Sequence, residues 1–168
     1  PNVHGAALLA LSVWLLRQDI ARRTVRQHGL TRFIAVCLLS GYAWLAIGGA
    51  IMVVAGGLAP GTASYDAALH ALGLGFVFSM VFGHAPVIVP SVVRAAVPYH
   101  ATFYAPLFLL QLSLAVRLWG DVTGDFDLRR GGGILNAVAL ATFILGTLGA
   151  VIRGKRSAAR GGALAKGS

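Results

Sequence analysis

The chain has 168 residues, 57% of them hydrophobic and 11% charged, with no Glu and a formal net charge of +9. A water-soluble domain carries about 25% charged residues, so this composition excludes a fold that faces water on every side. Nucleic acid is excluded as the reason for the basic excess. Lys and Arg fall between apolar runs, and no nucleic-acid-binding motif accompanies them. The composition is that of an all-α integral membrane bundle in contact with the lipid bilayer.

A bilayer-crossing helix needs about 20 mostly apolar residues. Residues 3–16 form a first, short run. It opens on Pro1 without the basic stretch that a signal peptide needs, and it reads as a clipped span. Residues 33–55 form the second span and hold the single cysteine, Cys37, which has no intrachain disulfide partner. The run Gly56-Gly57-Leu58-Ala59-Pro60-Gly61 breaks it. Residues 67–89, 100–119 and 133–152 give three more, separated by a turn at 91–99 and a connection at 121–132. Five spans make one domain, 1–152, followed by a basic tail, 153–168, expected to be disordered. Gly48, Gly49, Gly73, Gly75, Gly146 and Gly149 are small enough for close helix contact.

Charge orients the bundle. Arg17, Arg22, Arg23, Arg26 and Arg32 fill the first connection, Arg94 the third, and Arg153, Lys155, Arg156, Arg160 and Lys166 the tail. The other side holds Asp66, Asp121, Asp125 and Asp127 with Arg117, Arg129 and Arg130. The positive-inside tendency therefore places the N-terminus outside and the tail in the cytoplasm of a bacterial-type inner membrane. Asp121, Asp125 and Asp127 read as a solvated turn, and His28 as a solvated loop residue. No serine shares a face and depth with a histidine and a carboxylate, and no Walker-type glycine loop exists, so no catalytic residues are assigned.

The other four histidines fall inside spans, where imidazole is costly without a partner. His70 and His84 stand fourteen residues apart in one run. In a regular α-helix that spacing advances roughly 21 Å and returns to within about 40° of the same side. Depth sorts the rings into an outer pair, His70 with His4, and an inner pair, His84 with His100. Two facing imidazoles at one depth suit axial ligation of a b-type haem, which predicts one or two haems. Gly73 and Gly83 leave room for the macrocycle, and Arg94, or Arg129 and Arg130, could meet propionates. The expected function is electron transfer as a subunit of a larger redox complex, with quinone as a candidate partner.

Copper is the alternative cofactor. Met80 lies one turn from His84, and a Met80, His84 and His100 set would suit Cu(I). Pro86 and Pro90 would kink the span beyond His84 and shape a pocket for a metal, a gas or a quinone head group, with Tyr99 and Tyr104 beside His100. In a third reading the histidines only hydrogen-bond between helices, and the chain is a scaffold subunit.

The stretch His70-Ala71-Leu72-Gly73-Leu74-Gly75, followed by Ser79-Met80-Val81-Phe82-Gly83-His84, resembles the repeated His-containing helices of NnrS-type membrane proteins. Leu114-Ala115-Val116-Arg117-Leu118 looks like the end of that family's next helix. The resemblance implies a haem- or copper-associated bundle with a link to nitric-oxide metabolism. More distantly, the spacing of His70 and His84 is similar to that in dihaem cytochrome b bundles.

Overall fold

Helix ends follow local side-chain chemistry. Asp19 closes the first apolar run by accepting the Ala21 amide at 2.7 Å, and its second oxygen takes the Tyr42 hydroxyl at 2.6 Å. Thr62 opens the third by accepting from the Tyr65 amide. Gly124, with φ of 72°, ends the fourth in a left-handed conformation that costs glycine little. Asp125 then starts the fifth, accepting the amides of Asp127 and Leu128 on one carboxylate oxygen.

The computed structural model describes residues 2–93 and 99–165, with side chains for 3–93 and 99–156. Among these residues the long helices are α1 (Asn2–Gln18), α2 (Gly29–Val54), α3 (Ala63–Val93), α4 (Tyr104–Thr123) and α5 (Phe126–Ala165). A helical turn, Ala21–Thr24, follows α1, and a 3-10 turn, Ala101–Phe103, leads into α4. Four helices are long and apolar enough to cross a membrane, and α1 is a shorter apolar helix beside them. The chain is a multi-pass membrane protein built as a helical bundle.

Contacts fix how the helices alternate. Gly5 on α1 meets Gly49 on α2 so closely that a Cβ on Gly49 would lie 2.9 Å from the Gly5 carbonyl oxygen. The start of α1 therefore lies beside the end of α2. Phe33, near the start of α2, packs against Tyr99, Phe103 and Tyr104 at the entry to α4. At the opposite end Asp66 of α3 bonds Arg117 of α4 and Arg129 of α5. The core runs between these ends through Phe33, Cys37, Phe82, Leu107 and Leu110, and Phe82 stacks on Phe143 of α5 with centroids 3.7 Å apart.

One connection and the tail differ from the sequence expectation. Residues 121–132 are helical apart from the turn at Gly124 and Asp125, because the Gly-Asp pair supplies both the stop and the start. Gly132 belongs to α5 and lets it approach α4, where a Cβ would lie 2.8 Å from the Arg117 backbone. Beyond the apolar segment α5 continues to Ala165, where composition alone points to disorder. Ala, Arg, Lys and Leu are strong helix formers, and they dominate that stretch. Arg94 and Lys166 lie outside the described residues.

Candidate functional site: histidines and charges of the bundle

The path from His70 to His84 is not a regular α-helix. Residues Ala71–Val77 form a π-helix, with hydrogen bonds reaching one residue further than in an α-helix. A wider turn rotates less per residue, so this segment lags the α phase by on the order of 100°. The fourteen-residue spacing therefore no longer returns to one stripe, and the two rings have different surroundings.

His70 joins an ionic cluster. Its Nδ1 lies 2.8 Å from the Asp66 carbonyl oxygen and 3.4 Å from the Asp66 carboxylate. The other Asp66 oxygen accepts from Arg117 at 2.8 Å and from Arg129 at 3.4 Å, and Arg129 Nε reaches Asp121 at 2.6 Å. Asp121 is buried, and two carboxylates there balance two guanidiniums. Arg129 is thus committed to Asp66 and Asp121, whereas Arg130 is exposed.

His84 faces out of the bundle, on a side of α3 where Val81, Val87 and Ile88 are also exposed. Its Nδ1 sits 2.7 Å from the Met80 carbonyl oxygen. A carbonyl only accepts, so Nδ1 carries the proton and Nε2 keeps its lone pair. Gly83, one position earlier, packs on Cys37 of α2, where a Cβ would lie 3.0 Å from the cysteine Cβ. Met80 turns its methyl against Gly41 of α2. Gly73 has open space around it.

His100 has the opposite tautomer. Its Nδ1 accepts the Thr102 amide at 3.4 Å, which puts the proton on Nε2. The ring lines a cleft between α4 and α5 together with Arg153, and none of the lining residues comes from α3. His4 is exposed and lines a separate hollow with Met52 and Leu58. Tyr99 and Tyr104 are engaged with Phe33. Burial, then the neighbouring Tyr104, raise the Tyr99 phenol above its ordinary pKa, so it is a neutral hydroxyl.

A haem held between two histidines of one chain needs both rings at a common cavity. The four rings occupy four separate surroundings instead, and neither His84 with His100 nor His70 with His4 shares one. Among the described residues no three His, Cys or Asp side chains group as a metal site. One chain by itself therefore does not fit bis-histidine ligation.

Over residues 1–152 the sequence matches the family described as Domain of unknown function (DUF8744). The chain belongs to that family. No curated protein and no solved structure matches it. The DUF8744 span covers the intramembrane histidines and the ionic cluster. It also covers two polar nodes that apolar patterning does not reveal. Gln111 of α4 accepts from the Trp44 indole and donates to Ser79 at 3.0 Å and to Ser40 at 3.3 Å, tying α2, α3 and α4 together. Buried Ser113 bonds buried Asn136 between α4 and α5. A lone Gln, Ser or Asn inside an apolar run is the signal that could have found them.

Proposed function

We propose that this DUF8744 chain is a b-type haem-binding subunit that carries electrons within a larger membrane oxidoreductase, with His84 as an axial ligand. The observation that carries this reading is the His84 ring. It stands exposed among apolar side chains, Nδ1–H tied to its own helix and Nε2 without a partner among the described residues. A backbone carbonyl on the far nitrogen is the usual support of a ligating imidazole, because it fixes the tautomer and raises basicity. An unpartnered polar ring on a lipid-facing surface is also costly, and a ligand on Nε2 relieves that cost. Because His100 lies elsewhere, the second axial ligand comes from another subunit. When bound, the haem supplies a one-electron carrier, and His84 orients it at the edge of the bundle. The Arg-rich ends face the cytoplasm of a bacterial-type inner membrane, and the Asp66 end faces outside.

The test is a tagged chain recovered with its partners from native membranes. A reducible Soret and α band, counted as pyridine haemochrome, is expected, and His84→Ala should remove at least one haem per chain. A complex without a chromophore, or one with unchanged haem after His84→Ala, rejects the reading.

A further inference from the structure

We propose that the cleft between α4 and α5 at the His100 end is a binding site for the phosphate head group of an anionic phospholipid. The cleft has a volume of about 220 Å³. Its polar rim is His100, Thr102 and Arg153, and its floor includes Phe103, Pro106 and Phe143. The two parts match the two parts of a phospholipid.

The rim presents donors. The Thr102 amide occupies the lone pair of His100 Nδ1, so Nε2–H, which has no partner among the described residues, calls for an acceptor. This separates His100 chemically from His84, whose free nitrogen carries a lone pair. Arg153 folds back along α5, its guanidinium 3.5 Å from where a Gly149 Cβ would lie, one turn above its own Cα. Gly149 has no side chain to block that path. The ion pairs among the described residues use Arg117, Arg129 and His70 only, and Arg153 takes no carboxylate there. A guanidinium and an imidazole N–H beside a hydroxyl suit phosphate oxygens.

The floor decides the source of that phosphate. Two buried phenyl rings and a proline offer nothing to a hydrated inorganic ion but accept the first methylenes of an acyl chain. Gly146, at the wall, has open space above it, which leaves room for the chain to pass. Basic pockets between membrane helices are known sites for anionic lipid head groups.

Native mass spectrometry of the delipidated protein in mild detergent tests this, with phosphatidylglycerol, phosphatidylcholine and inorganic phosphate as probes. One retained phosphatidylglycerol per chain is expected, with phosphatidylcholine at least tenfold weaker and inorganic phosphate not retained. Arg153→Gln should lower retention at least tenfold, whereas Arg156→Gln, an exposed neighbour outside the cleft, should leave it within twofold. Gly146→Leu, at a position where a Cβ would meet nothing within 4 Å, narrows the cleft and should also abolish retention, which guards against misreading a folding defect in the arginine variant. Equal retention of the two lipids overturns the proposal. So does an equal loss in both arginine variants, which would mean diffuse attraction to a basic helix, and so does retention of inorganic phosphate alone.

Discussion

At the scale of single residues, the bundle depends on where a side chain is missing as much as on where one is present. A Cβ on Gly49 would meet the backbone of α1, with the Gly5 oxygen at 2.9 Å and the Leu9 nitrogen at 3.1 Å. Backbone cannot yield as a flexible side chain can, so Gly49→Leu should destabilise by about 1–3 kcal/mol, the usual cost of overpacking. Denaturant unfolding in detergent measures the loss, and protease access to α1 should rise with it. Gln111 illustrates the opposite case. Removing its amide strands the Trp44 indole and the buried Ser79 hydroxyl, so Gln111→Leu should cost about 1–2 kcal/mol by the same measurement. Asp66 holds two arginines at once but is partly exposed, so Asp66→Ala should cost about 2 kcal/mol, between a surface pair and a fully buried one.

At the scale of elements, the π segment decides which residues share a face. Apolar patterning made the body of the third helix legible, residues 67–89 of Ala63–Val93, since a long apolar run has one reading. It did not make the phase legible, because a π turn changes rotation without changing hydrophobicity. Gly73 and Gly75, both weak helix formers, are the only hint in that stretch. Their environments differ sharply. Gly75 lies against Trp44, whereas Gly73 has nothing within 4 Å of where a Cβ would stand. Gly73→Ala should therefore be neutral or stabilising by up to about 1 kcal/mol, and Gly75→Ala clearly destabilising. A melting comparison of the two variants checks the contrast. The expected connection at 121–132 is likewise mostly helix: Gly124 supplies the turn, and Gly132 serves helix–helix contact.

At the scale of the whole molecule, composition alone settled the class, and the distribution of arginines suggested the sidedness. That orientation has a direct measurement. A cysteine introduced at Thr123 should react with an impermeant maleimide on intact cells, and one at Gln27 only after lysis. Native Cys37 is fully buried and should add little background. The reverse labelling pattern would invert the bundle. The candidate site was legible in part. Sequence singled out four histidines as unusual, because polar rings in apolar runs stand out. One chain does not bring the expected pairs together, because pairing depends on helix phase and on the tautomer each backbone partner imposes. His84 and His100 look alike in sequence, but one accepts and the other donates at its free nitrogen.

The two-residue turn between α4 and α5 also bears on biogenesis. Arg117, Arg129 and Arg130 must be carried across the bilayer if the Asp66 end is external, at a cost of roughly 2.5–3.5 kcal/mol for each charge at the centre. Asp121 and Arg129 lie on opposite arms of that tight hairpin and neutralise each other at 2.6 Å. The last two helices can therefore enter the lipid as one charge-compensated unit. In the folded bundle Asp66 of the preceding helix bonds both Arg117 and Arg129.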